Sequence, residues 1–191
     1  YQETYDRAVY DRLHRWGPKR DYAFRLEAPA RALAGGMRTV GLGVLLGLAE
    51  PVADLLALFR HLERLEKTFW RAGFSVSFPR IRPQRGGFQP AHAVDDAWLA
   101  RIICAFRLCK PELPLVLSTR EAPAFRDGMA GLGISKMSAG SRTTVGGYKG
   151  DSETDGQFEV SDDRPVERFC AALRAKGLEP VFKNGDRTYR I

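Results

Sequence analysis

Met37-Arg-Thr-Val-Gly-Leu-Gly-Val-Leu-Leu-Gly-Leu-Ala-Glu50 is a β-branched, glycine-rich run that turns directly into a helix opening. Within it Gly43, Leu45, Gly47 and Glu50 stand in a G-x-(I/L)-x-G-x-x-E frame. Pro51 follows, and proline is favoured in the first turn of a helix. A strand followed at once by a helix is the repeating unit of a parallel α/β fold, where ligands bind beyond the carboxyl ends of the strands. Glycines at such an end lack the Cβ atoms that would hold a flat ligand off the backbone. The stretch thus marks both a fold class and the end of the sheet where function is expected.

Outward from it, short apolar runs at residues 38–44, 74–79, 115–118 and 134–138 read as further strand candidates. Their separation leaves room for crossover helices between parallel strands. After Pro51, the residues Leu55, Leu56, Phe59, Leu62, Leu65, Phe69 and Trp70 recur at helical period. Asp95 or Asp96 is placed to cap a helix whose Leu99, Ile102, Ile103 and Phe106 face the core, with Pro111 stopping it. Earlier helices are expected over 6–15 and 29–34, the second ended by Gly35-Gly36. Residues 140–156, rich in Gly, Ser and Thr, read as a long loop, followed by a helix over 165–176 and a strand near 180–183. Lys183-Asn-Gly-Asp186 then has hairpin-turn chemistry. The class is α/β with a parallel sheet, and either an open sheet or half of an eight-stranded barrel satisfies this pattern.

The 191 residues suffice for one domain with a sizeable core, and 44% apolar content is that of a folded soluble protein. No apolar run approaches the roughly 20 residues of a membrane helix, so no membrane partner is expected. The sequence opens on Tyr1 rather than methionine, with no signal-like segment, and is expected to be a piece of something longer. Its net charge of +7 favours anionic partners. The basic residues are dispersed and form no basic tail, so nucleic-acid binding ranks lowest among the functional classes. Cys104, Cys109 and Cys170 match no metal-site spacing and point to a reducing compartment. Cys104 and Cys109 fall on an apolar helix pattern, where cysteine acts as a small hydrophobe.

The chemistry gathers at the strand tips. Ser77-Phe-Pro-Arg-Ile-Arg82 follows the second candidate strand, Ser118-Thr-Arg-Glu121 the third, and Met137-Ser-Ala-Gly-Ser-Arg142 the fourth. Tyr1-Gln-Glu-Thr-Tyr5 has the look of another strand end. Arginine's planar fork suits a carboxylate. Against this, a strand-tip arginine can simply pair with a neighbouring glutamate, and for one arginine the two readings balance. Three tips carrying Ser or Thr beside Arg favour a small anionic ligand. His14, His61 and His92 are isolated, and His61 is expected at the surface or in a cap. Glu50 is either an acid–base group or a helix-opening carboxylate, the second weighing more. The residues alone reach a ligand site for an amino acid or a nucleoside.

Taken in order, ten segments resemble one family. They are Tyr1-Gln-Glu-Thr-Tyr5, Gly17-Pro-Lys-Arg-Asp21, Arg25-Leu-Glu27, Gly41-Leu-Gly43 with Gly47-Leu48, Ser75-Val-Ser-Phe-Pro-Arg80, Ile103-Cys-Ala-Phe-Arg-Leu108, Leu117-Ser-Thr-Arg-Glu121, Lys136-Met-Ser-Ala-Gly-Ser141, Gly146-Gly-Tyr148 and Gly156-Gln-Phe-Glu159. They are similar to the 2-iminoacetate synthases, radical S-adenosylmethionine enzymes that act as the tyrosine lyase of thiamine thiazole synthesis. The resemblance implies the C-terminal half of a (β/α)8 TIM-type barrel, about strands 4 to 8, over residues 1–140. Residues 141–191 are then a loop, helix and strand extension packing on it. It implies cleavage of L-tyrosine to 2-iminoacetate (dehydroglycine) and p-cresol after 5′-deoxyadenosyl radical formation. Glu3 and Arg25 would hold the amino and carboxylate groups of S-adenosylmethionine, with Gly41, Gly43 and Leu45 near its adenine. Arg120, with Ser138 or Ser141, would hold the tyrosine carboxylate, and Arg80 would stand at the site rim.

The family's C-x-x-x-C-x-x-C triad, which binds a 4Fe-4S cluster, is not in this sequence. Its ligands are expected in an N-terminal half, and without it the chain is expected to be inactive alone. The resemblance also implies a cytoplasmic protein, a complex with thiazole synthase and an electron donor such as flavodoxin. A sister family, the hydrogenase-maturation tyrosine lyase, carries further cluster cysteines in a C-terminal extension. This sequence ends at Ile191 without one, which favours the thiamine family. Two alternatives stand beside it: a related aromatic amino acid lyase, and a non-catalytic half-barrel interaction module.

Overall fold

The structure, a computed structural model, describes residues 2–82, 87–141 and 160–182. The expected hairpin turn at 183–186, most of the 140–156 loop and the segments 146–148 and 156–159 lie outside the described residues. Helices α1 (Arg7–Leu13), α2 (Tyr22–Leu26) and α3 (Ala28–Ala34) precede strand β1 (Thr39–Gly43). Then come α4 (Pro51–Thr68), β2 (Gly73–Ser77), α5 (Asp96–Cys109), β3 (Leu115–Leu117), α6 (Pro123–Met129), β4 (Lys136–Met137) and α7 (Val166–Ala175). The strands lie side by side in the order β1-β2-β3-β4, every pair parallel. Strand–helix alternation feeding a parallel sheet is the fold that the spacing predicts.

Register sorts the strand residues into two faces. Leu42, Val76 and Leu115 pair across β1, β2 and β3, and all three belong to the core that the helices cover. That core is completed by Leu55, Leu58, Leu62 and Leu65 of α4 and by Leu99, Ile103 and Phe106 of α5. Each fully buried leucine contributes about 1.5–3 kcal/mol relative to an exposed one. The opposite row runs Gly43–Ser77–Val116–Lys136, with Gly41–Ser75 beneath it, and none of these residues belongs to that core. A parallel sheet whose helix-covered core lies on one face fits a wall segment of a barrel, where helices stand outside only, whereas a doubly wound sheet carries helices on both faces.

Local chemistry explains the element ends. Glu50 accepts from the amides of Val52 and Ala53 at 3.0 and 2.7 Å and opens α4, and Asp95 accepts from Trp98 to open α5. Gly47, at φ 113, turns the chain between β1 and α4, and a Cβ there would meet Pro90 at 2.9 Å. The short helices α2 and α6 were not individually legible. They span 5 and 7 residues, too short to show a period, and α6 carries Arg126 on its buried side. Two expectations are corrected. Residues 180–182 form no strand, and Val181 and Phe182 are 74% and 76% exposed. Cys104 and Cys109 lie on the outer face of α5, while Cys170 is the buried cysteine.

Candidate ligand-binding site

The N-terminal segment reaches the carboxyl end of β1 as a parallel partner. Glu3 bridges Val44, the Gln2 amide donates to Gly43 O at 3.2 Å, and the Leu45 amide donates to Glu3 O at 2.7 Å. Glu3 is the non-glycine residue with a left-handed backbone among those described, at φ 73. Such a conformation costs about 1–2 kcal/mol and persists where neighbours over-determine it. Thr4 supplies that constraint: its hydroxyl donates to Asp54 Oδ1 at 2.9 Å, and the Tyr5 amide donates to the same oxygen at 2.7 Å. The Glu3 carboxylate accepts from Lys19 Nζ at 3.1 Å.

Arg25, on α2, lines a cavity of about 270 Å³ with Gln2, Tyr5, Gly41, Leu42 and His61. Arg25 and Glu3 both act on the Tyr10 hydroxyl. Burial raises the pKa of that hydroxyl, Arg25 opposes the rise, and Glu3 adds to it. Gly41 and Gly43 have different constraints. A Cβ on Gly43 would fall 2.6 Å from Ser77 O, whereas one on Gly41 would sit 3.4 Å from Ser75 Oγ. The sheet itself requires Gly43, and Gly41 is the glycine whose empty Cβ position leaves room beside the backbone.

His61 corrects another expectation. It is buried, its Nδ1 lies 2.8 Å from Tyr5 Oη, and burial together with Arg64 lowers its pKa to about 4. A neutral imidazole locked to a tyrosine is a packing element, neither a surface group nor a cap. Glu50 takes the capping role that weighed more heavily. Its bonds to the amides of Ala53 and Val52 hold the carboxyl below its ordinary range.

After β2, Arg80, expected at the site rim, is buried. Its guanidinium binds both oxygens of Glu121, Asp96 Oδ1 at 2.6 Å and Val94 O at 2.9 Å. Burial alone would lower the Arg80 pKa, but the bonds and charges of Glu121 and Asp96 leave it above its ordinary value. Arg82 also donates to Glu121 Oε2, at 2.6 Å. One buried glutamate thus anchors two arginines, and the neighbouring Arg120 emerges from the same turn. The Arg120 amide donates to Ser118 Oγ at 3.3 Å, and its Nη1 lies 3.5 Å from Arg80 O.

Ser138 continues the β3–β4 ladder, its amide donating to Leu117 O at 3.0 Å. Arg120 and Ser138 therefore stand at adjacent strand exits, with half-buried Ser141 after the Gly140 turn at φ 61. Arg126 holds this pair of exits from behind, donating to Ser138 O and to Asp162 Oδ2, while the Asp162 amide donates to Thr119 O at 3.0 Å. Arg164 completes the network with bonds to Asp162 and Asp127. Lys19, Glu121, Arg126 and Asp162 escaped the sequence reading. Lys19 left a trace there inside the Gly17-Pro-Lys-Arg motif, and Glu121 in the Ser118-Thr-Arg-Glu segment, where a strand-tip arginine paired with a glutamate was one of the two readings.

Among the described residues no three His, Cys, Asp or Glu side chains converge as metal ligands, and they do not fit a 4Fe-4S cluster. S-adenosylmethionine is a better match to what is present. The Lys19 ammonium already sits on Glu3 as a ligand ammonium would, and a Cβ at Gly41 would meet Ser75 Oγ alone, at 3.4 Å.

Residues 77–179 match the family described as the Biotin and Thiamin Synthesis associated domain. The chain is 46% identical to 2-iminoacetate synthase of Escherichia coli (strain K12), over 97% of this chain and 50% of that protein. It is 45% identical, with the same coverage, to 2-iminoacetate synthase of Salmonella typhimurium. It spans about half the length of these curated relatives. A crystal structure of HydG, a maturase of the FeFe-hydrogenase, superposes with TM-score 0.88 and 37% identity, over 96% of this chain and 40% of that one. HydG from Carboxydothermus hydrogenoformans gives TM-score 0.87 and 35% identity, over 96% and 42%.

Proposed function

On the premise that the chain belongs to the Biotin and Thiamin Synthesis associated domain family, we propose that it forms one wall of a tyrosine lyase. The reaction is cleavage of L-tyrosine to 2-iminoacetate and p-cresol, for the thiazole of thiamine. The observation that carries this reading is that Glu3, Arg120 and Ser138 each lie at the carboxyl end of a parallel strand, in a chain similar over 97% of its length to 2-iminoacetate synthase. S-adenosylmethionine supplies the radical chemistry when bound.

The residues present here bind and orient. Glu3 and Arg25 take the amino and carboxylate groups of S-adenosylmethionine, with Gly41, Gly43 and Leu45 beside its adenine. Arg120 offers its fork to the tyrosine carboxylate, with Ser138 or Ser141 donating a hydroxyl. Charge-assisted, bidentate contacts of this kind fix direction as well as affinity. Residues 1–140 are the wall and 141–191 an extension on it. Cluster ligands come from outside the chain, which is inactive alone. Thiazole synthase, a flavodoxin-type donor and a cytoplasmic setting complete the reading.

The test joins this chain to the half of E. coli 2-iminoacetate synthase that it does not match. p-Cresol formed from tyrosine and S-adenosylmethionine supports the lyase. A correctly folded, cluster-loaded hybrid that makes none overturns it.

A further inference from the structure

Glu3 carries two unusual features. Its backbone is left-handed, at φ 73, and its side chain is only 15% exposed although it lies at a strand exit. Its position is set by the chain on either side. The Gln2 amide on Gly43 O, the Leu45 amide on Glu3 O, and the bonds of Thr4 and Tyr5 to Asp54 fix the backbone without any contact from Lys19. Lys19 is therefore dispensable for placing Glu3.

Lys19 itself is held by its backbone. Gly17, at φ 71, turns the chain into a single 3-10 turn over Pro18–Arg20, and the Tyr10 hydroxyl donates to Lys19 O at 2.7 Å. The Lys19 side chain is 56% exposed and touches Glu3 through one oxygen. A long, hydrated stem on a fixed root can swing away at little cost.

We propose that Lys19 is a resident counter-cation that the α-ammonium of an amino-acid-type ligand must displace at Glu3. This rests on the reading of Glu3 as the site for the amino group of S-adenosylmethionine. A cation already on the carboxylate competes with the incoming ammonium and repels it. Lys19 thus sets a ceiling on affinity and makes binding responsive to salt. Holding the carboxylate paired between binding events also spares a half-buried charge from standing alone.

The experiment is calorimetric titration of the cluster-loaded hybrid described above with S-adenosylmethionine, with an analogue lacking its α-amino group, and with L-tyrosine. Lys19→Met is expected to tighten S-adenosylmethionine binding about two- to fivefold at low salt, the range of an exposed ion pair. It should leave the other two probes unchanged, and the gain should shrink as salt screens the charges. Lys19→Arg should keep the original affinity, and Glu3→Gln should weaken binding and erase the effect of Lys19→Met. An unfolding midpoint within about 3 °C of the parent shows that Lys19→Met folds.

If Glu3→Gln weakens binding but Lys19→Met does not tighten it, Lys19 is no competitor and this inference alone falls. If Glu3→Gln leaves binding by the hybrid unchanged, the assignment of Glu3 falls and takes the inference with it, and if the folded, cluster-loaded hybrid binds no S-adenosylmethionine, the lyase reading falls as well.

Discussion

Asp162 and Arg126 form an ion pair with almost no access to water, their side chains 0% and 1% exposed. The same guanidinium holds the Ser138 carbonyl, and the Asp162 amide holds that of Thr119, so one buried pair joins the exits of β3 and β4. Removing Asp162 leaves Arg126 charged in a site that cannot solvate it, and removing Arg126 leaves buried Asp162 with Arg164 as its remaining cation. Asp162→Asn and Arg126→Met are each expected to lose about 3–5 kcal/mol in urea unfolding. The double change to apolar residues should recover part of that loss.

Acid should find the same weakness. Burial would raise the Asp162 pKa, but the bonds and charges of Arg164 and Arg126 hold it below the ordinary carboxylate value. A group depressed in the folded state stabilises above its unfolded pKa, and that stability is lost as pH falls through the folded value. Stability from Asp162 is expected to be full at neutrality and to drain away below about pH 4. Asp162→Asn should flatten that limb of the pH–stability curve.

His61 predicts a second, milder acid limb. Its folded pKa of about 4 lies below the ordinary value of 6.5, so protons favour the unfolded chain between those two values. Stability from this group is full above pH 6.5, falls by up to about 3 kcal/mol as pH approaches 4, and is level below that. Ring carbon chemical shifts should show a neutral His61 at pH 5.5, where an exposed histidine is mostly charged.

The two glycines of β1 should respond differently. Gly43→Ala places a methyl 2.6 Å from Ser77 O and is expected to cost about 1–3 kcal/mol. Gly41→Ala meets only Ser75 Oγ at 3.4 Å and should fold with stability within about 0.5 kcal/mol of the parent. Any loss of S-adenosylmethionine affinity in Gly41→Ala then reports on the ligand rather than on the sheet.

Arg80 and Arg120 should also separate. Arg80→Ala leaves Glu121, 1% exposed, without its main partner and is expected to destabilise by about 3–5 kcal/mol. Half-buried Arg120, replaced by alanine, should raise the tyrosine requirement of the hybrid enzyme at least tenfold. An unaltered tyrosine dependence in a folded Arg120→Ala protein would remove that residue from the site.

The strands and long helices were legible because their signals are local. Glycine and proline at the β1–α4 turn, the leucine period of α4 and the Asp95 cap can each be read within a few neighbouring residues. The ion-pair nodes were not. Arg80 meets Glu121 across 41 residues and Arg126 meets Asp162 across 36, and no window of sequence shows which of many arginines finds which acid. Arg80 looked like a ligand group for that reason, because a strand-tip arginine reads the same until its partner is seen. His61 misled similarly, since Tyr5 reaches it from 56 residues away.

The left-handed backbone at residue 3 has a consequence for how this protein weathers heat. Glycine would occupy that conformation without the steric penalty of a side chain, and Glu3→Gly is expected to gain up to about 1 kcal/mol from the change. A chain shaped for endurance alone would carry glycine there. Retaining glutamate leaves the molecule slightly more fragile than its fold allows, and variants screened for thermal resilience are expected to lose this carboxylate early, becoming hardier and emptier together.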